Sequence, residues 1–442
     1  MRHNPTKGSR TTRFWLILLT LVAALAMMAL ACGEDKEEKE TPAPKTTTAQ
    51  TPVAGKTATT GDTLKIGVLL DFTGDLAEFG PAMENGAKLA AKNINAAGGV
   101  LGKDIALKRS DSQTNPTAAV EGARQLVDVE GVSAIVGSLS SGVTLAVAEA
   151  VTIPDKIVQI SPASTSPALT AVVDNDFLFR TTLSDAAQGL ILAKLANELG
   201  YKKVSTIYVN NAYGQGLSEN FAAAFEQLGG TVPAQVPSEQ EQTTYLAELR
   251  KATDGSPDAL AALSYPQSGT VYIKEAIENN LIKTFLFCDG TKSEDIIKTV
   301  GAANLEGMEG TVSAAAEIPA AWRSDFEAEY KELPPLPYIA ETYDAVIMIA
   351  LGAEKAGSTD PAAIRDAMRT LNDPKGEKID PGAAGIKKAL ELIRDGKAIN
   401  YVGASGFDGW DKNGDVPSGF IEIWKYEGGK IVTVRTEPVT LE

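Results

Sequence analysis

From Leu64 onward, short apolar runs alternate with stretches whose apolar residues recur every three or four positions. The runs read as strands buried on both faces, and the stretches as helices laid over them. Leu64–Leu70 predicts a first strand, and Pro81–Asn95 a helix that Gly98-Gly99 ends. Ile105–Lys108 predicts the next strand. Asn115 then offers a capping side chain and Pro116 a first helical residue, opening a helix to about Val129. Ser133–Val136 reads as a strand, Val143–Val151 as a helix and Ile157–Ile160 as a further strand. After Arg180 the programme restarts with helix Ala186–Leu199, strand Val204–Val209 and helix Leu217–Leu228, stopped by Gly229-Gly230. Strands follow near Val232–Val236, Ala259–Leu263 and Thr284–Phe287, with helices near Tyr245–Ala252, Val271–Asn279 and Ser293–Val300. Beyond Gly310 the order loosens. Trp322–Glu332, Ile339–Ala356, Pro361–Leu371 and Ile386–Arg394 look helical, and Ile421–Tyr426 with Ile431–Val434 forms a hairpin. The whole predicts an α/β protein of parallel sheets covered by helices.

The two halves share a local pattern. Leu70 is followed by a loop ending Glu78-Phe79-Gly80, a helix and a double glycine; Val209 is followed by Asn210 to Gly214, a helix and a double glycine. Two such lobes facing each other would enclose a cleft at the carboxyl ends of their strands, where open α/β sheets bind ligands. The stretch Ile157–Thr170 fits that place. Its apolar run turns abruptly into small hydroxyls and prolines, Ser161 to Pro167, with free amides and restricted backbone. The composition alone fits an ordinary surface turn equally well.

The N-terminus is set aside from fold reasoning. Arg2, Lys7, Arg10 and Arg13 precede the apolar run Phe14–Leu30, which ends in Ala29-Leu30-Ala31-Cys32 and then a charged stretch. This resembles a bacterial lipoprotein signal of residues 1–31, with cleavage before Cys32 and lipid on its thiol; an uncleaved anchor is the alternative. Residues 32–61, rich in Thr, Ala, Pro and Lys, read as a disordered tether. The net charge of −16 speaks against a nucleic-acid surface. With Cys32 lipidated, Cys288 remains alone and no internal disulfide forms. The single histidine, His3, lies in the leader, so a mature chain has no imidazole for a triad or a metal. No GxSxG, SxxK or P-loop motif is present, and together these features point away from an enzyme. Asp411, Asn413, Asp415 and Glu422 echo a calcium loop, but Val416 replaces its glycine, and a solvated turn is the better reading.

The phrases IGVLLDFTGDLAEFG, NINAAGGVLGKDI, VGSLSSGVT, ISPASTSPALT, FRTTLSD, NNAYGQGL, ETYDAV and ASGFDGWDKNGD stand in order along the chain. Together they resemble the leucine/isoleucine/valine-binding family of periplasmic binding proteins, from about Leu64 to Val434. The resemblance implies the type I fold, two Rossmann-like lobes joined by three hinge crossings. Lobe one would be residues 62–182 plus 313–405, and lobe two residues 183–312 plus 406–442. It implies a lipid-anchored, extracytoplasmic, monomeric solute-binding protein that hands an amino acid, with a branched-chain one among the candidates, to an ABC permease, with no cofactor, metal or nucleic acid. A sensor lipoprotein of the same fold, or a binder of small carboxylates, amides or urea, is the rival reading. Carried over motif by motif, Ser141, Ala163 and Thr165 come from one lobe, Tyr213 and Asp289 from the other, and Phe79 and Tyr343 serve as aromatic walls. Where the family's leucine binders carry another tyrosine, this chain shows Ser264. The chemistry is coherent by itself. A zwitterion needs donors on one side, here Ser141, Thr165 and loop amides, and acceptors on the other, here the Ala163 carbonyl and Asp289.

Overall fold

The computed structural model describes residues 62–441, so the leader, Cys32 and the tether fall outside the described residues. Five parallel strands form the first sheet: β1 (Lys65–Leu70), β2 (Ala106–Asp111), β3 (Ala134–Gly137), β4 (Val158–Ser161) and β5 (Leu178–Arg180), in the order β2-β1-β3-β4-β5. The central runs are buried along their whole length, as helices on both faces require. The second sheet is built on the parallel strands β6 (Val204–Val209), β7 (Gln235–Ser238), β8 (Ala259–Leu263), β9 (Phe285–Phe287) and β10 (Glu309–Ala314). A small parallel pair follows, β11 (Glu377–Ile379) and β12 (Ile399–Tyr401). The closing hairpin, β13 (Ser418–Glu427) and β14 (Lys430–Thr440), then adds antiparallel to β10, giving β14-β13-β10-β9-β8-β6-β7.

Local chemistry sets the element ends. The Asn115 side-chain Oδ1 accepts from the amides of Thr117 and Ala118, starting the helix Pro116–Arg124 as expected. That helix widens into a turn over Gln125–Glu130 instead of running regularly to Val129. β7 lies three residues beyond its expected start. It is an edge strand with alternating exposure, so Pro237 is tolerated and its apolar pattern is weak. The helix Ile339–Ala356 is buried almost all round, packed against the helix Gly80–Ala96 of the first sheet. Its unbroken apolar run in the sequence has that cause.

Connections between the sheets run side by side. The Leu183 amide donates to Ser313 Oγ (3.3 Å), and the Thr181 hydroxyl donates to the Glu341 carbonyl (2.9 Å). Residues expected from 406 on to accompany the second sheet stay, as far as Asp415, against β5 of the first. Trp410 packs on Phe179 at 4.8 Å and donates Nε1 to the Arg180 carbonyl (2.7 Å). The buried Asp344 pins the last crossing. It accepts from the Tyr401 hydroxyl (2.7 Å), the amides of Ala404 (2.8 Å) and Ser405 (2.9 Å), and Ser405 Oγ (2.6 Å). Replacing Asp344 with Ala strands four buried donors, and denaturant unfolding is expected to show a loss of about 3 kcal/mol. A loss under about 1 kcal/mol would mean that the carboxylate does not hold the crossing.

Candidate functional site

The strand ends of both sheets converge on a small cavity of about 20 Å³. Leu76, Phe79, Leu139 and Ala163 line it from the first sheet, and Tyr213, Tyr265, Asp289 and Gly290 from the second. Tyr338, at the start of helix Ile339–Ala356, closes it. The aromatic-glycine repeat of the sequence has a common cause here. A side chain at Gly80 would meet the Asp71 carbonyl at 1.9 Å, and one at Gly214 the Val209 carbonyl at 2.2 Å. Each helix start is tucked against the end of the strand before it, which aims Phe79 and Tyr213 into the cavity.

Most hydroxyls of the Ser161–Pro167 loop hold the loop itself. Ser161 Oγ donates to the Ser138 carbonyl (2.7 Å), and Ser164 Oγ to the Leu139 carbonyl (2.9 Å). The buried Arg180 guanidinium donates to the carbonyls of Thr165 and Ser166 (3.0 Å each) and is ion-paired with Asp415 (2.8 Å). This cation is therefore committed to shaping the loop. The Thr165 hydroxyl is buried and makes no well-formed hydrogen bond.

Asp289 is the best-connected acid of the site. Its Oδ1 accepts from Gln188 Nε2 (2.8 Å) and the Tyr213 hydroxyl (2.6 Å), and its Oδ2 from the Tyr338 hydroxyl (2.6 Å). Tyr338 holds a φ of +68°, a region that costs a bulky residue on the order of 1–3 kcal/mol, and its bond to Asp289 helps offset this. Asp185 is fully buried, and neither of its carboxyl oxygens has a well-formed hydrogen bond. Burial first, and the charge of Asp289 second, push its carboxyl well above the usual range. The same two causes raise the hydroxyls of Tyr213 and Tyr338. Tyr265 stacks on Tyr213 at 5.4 Å and reaches across to donate to Ser140 Oγ (2.9 Å). Gly290 is required where it stands, since a side chain there would meet the Ser264 carbonyl at 2.2 Å. Burial pushes the Cys288 thiol up to about 12, which leaves it inert.

Phe79, Ala163, Tyr213 and Asp289, read from the sequence, are brought together. Ser141 sits just behind them, where its Oγ accepts from the Ser166 amide (3.2 Å) and ties two loops of the first sheet. Tyr343 is a correction. Its hydroxyl accepts from Asn93 Nδ2 and the Gly382 amide (3.1 Å each), and its ring meets Trp322, so it belongs to the core. The tyrosine of that helix which reaches the cavity is Tyr338, at its entry. Ser264 is buried beside the cavity, while Tyr265 supplies the aromatic wall. Sequence reasoning missed Tyr265, Tyr338, Asp185 and Gln188. Asp185 carried a signal, an acid immediately after a Ser cap in FRTTLSD. In the calcium-like stretch, Asp415 pairs with Arg180 and Glu422 with Lys292 (2.6 Å), so these acids are occupied.

The periplasmic binding protein family model matches residues 63–409. A Leu/Ile/Val-binding protein homologue of Brucella melitensis is 28% identical over 84% of this chain and 93% of its own length. A chemotactic signal transduction system substrate-binding protein, BasB, of Halobacterium salinarum is 27% identical over 78% of this chain and 83% of its own. The crystal structure of the leucine-binding protein LivK of Thermotoga maritima superposes with a TM-score of 0.71 at 26% identity, covering 84% of this chain and 98% of that one.

The raised carboxyl of Asp185 has a thermodynamic consequence. The native protein holds a proton that the unfolded chain, with an ordinary carboxyl near 3.8, has released. The stability from this proton is complete below about pH 4 and is lost as pH rises toward the folded-state value. Denaturant titrations of the ligand-free protein are expected to show less decline from pH 4 upward in Asp185→Asn than in wild type. Equal slopes would mean that Asp185 is not held neutral.

Proposed function

Because the chain belongs to the leucine/isoleucine/valine-binding family of periplasmic binding proteins, extracytoplasmic solute binders of ABC-transporter type and not enzymes, we propose that it binds an amino acid in the cavity between its sheets. The observation that carries this is the pair Asp185 and Asp289, which faces no free cation among the described residues; the nearby Arg180, whose charge reaches Asp185, is already committed to loop carbonyls and Asp415. A solute must therefore bring positive charge with it. Its ammonium would sit among the two carboxyls and the Ala163 carbonyl. Its carboxylate would take the Thr165 hydroxyl, which stands beside Asp185, together with Ser141 and loop amides, in line with the polarity a zwitterion demands. Leu76, Phe79 and Leu139 offer an apolar wall that suits an aliphatic side chain.

The two sheets would act as lobes, dividing near 182/183, 312/313 and, for the last crossing, after Asp415, and closing on solute to form the surface a permease recognises. Lipid on Cys32 would tether a monomer to the membrane. The Halobacterium relative, named for chemotactic signalling, favours a second reading in which the bound protein reports to a receptor. Uptake by reconstituted permease separates the two.

Replacing Asp289 with Ala is expected to cost about 3–5 kcal/mol of L-leucine binding, the range for one partner removed from a buried charged pair. Titration calorimetry giving unchanged affinity would take Asp289 out of the site. In a thermal-shift screen, a cognate amino acid at 100 times its Kd should add about 2.7 kcal/mol. Benzoate, lacking an ammonium, should add nothing.

A further inference from the structure

The loop after β1 alternates its duties. Leu76 and Phe79 turn into the cavity, while Asp75 and Glu78 leave the first sheet and end on the second. The Ser268 amide donates to Asp75 Oδ1 (2.9 Å), and Ser268 Oγ to Asp75 Oδ2. Glu78 Oε1 accepts from the amides of Glu294 (2.8 Å) and Asp295 (3.3 Å), and its Oε2 from Ser293 Oγ. The loop that carries both acids is fastened to its own sheet. The Leu76 amide donates to Thr114 Oγ1 (3.1 Å), and the Phe72 amide to Asp111 Oδ1 (2.9 Å). These five bonds to Ser268, Ser293, Glu294 and Asp295 therefore join sheet to sheet, and none needs a solute atom.

We propose that Asp75 and Glu78 latch the two sheets shut before solute arrives, and so set affinity for every solute by the same factor. The inference rests on the reading of this cavity as the solute site. Leaving the latch open frees Ser268, Ser293 and the two amides to water, so opening is possible. Closing buries both acids, and burial pushes their carboxyls up from the ordinary range, with Glu241 beside Asp75 and Asp295 beside Glu78 adding to it. Closure is thus a balance between desolvation and five hydrogen bonds, which keeps both states within reach. Because a solute binds in proportion to the fraction of closed protein, a change in that fraction rescales all affinities equally. Residues lining the cavity would instead change the ratio between solutes.

The test uses spin labels at Val129→Cys, on the first sheet's side, and Leu228→Cys, on the second's, in a Cys32→Ser chain; both positions are exposed, and the buried Cys288 stays unlabelled. Without solute, pulsed electron resonance should show a short-distance population in the parent that falls at least tenfold in Asp75→Ala/Glu78→Ala. Calorimetry should show L-leucine and L-isoleucine weakened by a common factor of ten or more. A parent that is wholly long-distance, a variant with an unchanged short-distance fraction, or a changed ratio between the two solutes would overturn the latch. If neither amino acid binds the parent, the solute reading fails while the distance measurement still decides the latch. Should the double variant not fold, Ser268→Ala/Ser293→Ala removes two of the bonds from the opposite side and is read the same way.

Discussion

Two carboxyl groups buried against each other are costly, and much of this molecule is arranged around that cost. Asp289 is satisfied by three donors that arrive from separate elements: Gln188 on the helix after the first crossing, Tyr213 after β6 and Tyr338 at the entry to a helix of the first sheet. Asp185 has less support, from Thr165 and the charge of Arg180, and burial pushes its carboxyl toward the neutral form. A positively charged group entering between them would relieve both. In the proposed function, this pair would select for positive charge in what binds.

The loops then divide the remaining work. Arg180, a buried cation beside the site, is engaged in holding the Ser161–Pro167 loop and Asp415, and its charge offsets the burial of Asp185 only in part. Serines of the same loop bond to the neighbouring β3 loop, which leaves Ala163 as its contribution to the cavity, while the Thr165 hydroxyl stands beside Asp185. Small residues there matter as much for backbone access as for their hydroxyls. The opposite side brings bulk, in Tyr213 stacked on Tyr265.

The architecture was legible because buried parallel strands leave apolar runs, nearly unbroken in β1, β3 and β8 and interrupted only by small or neutral polar residues in β4 and β6. β5, β11 and β12, three residues each, fall below what periodicity can detect, and β10 is half polar. In the site, Phe79, Ala163, Tyr213 and Asp289 were readable because each closes a strand-loop-helix step with its own motif. Tyr343 was misplaced by helical geometry: five residues after Tyr338 it points into the core, whereas the cavity lies at the helix entry. Asp185 and Gln188 were unreadable as neighbours of the cavity acid, since their meaning depends on Asp289, which lies about a hundred residues away in sequence. Asp75 and Glu78 look like ordinary solvated loop acids until the second sheet is folded against them.

The central claim, that this cavity demands a positive charge, is tested most directly by removing that charge from the solute alone. Calorimetry would compare L-leucine with 4-methylpentanoate, which keeps the carboxylate and the aliphatic chain but lacks the ammonium. The account predicts binding of leucine and at least a hundredfold weaker binding of the acid, about 2.7 kcal/mol. Equal affinities would contradict it.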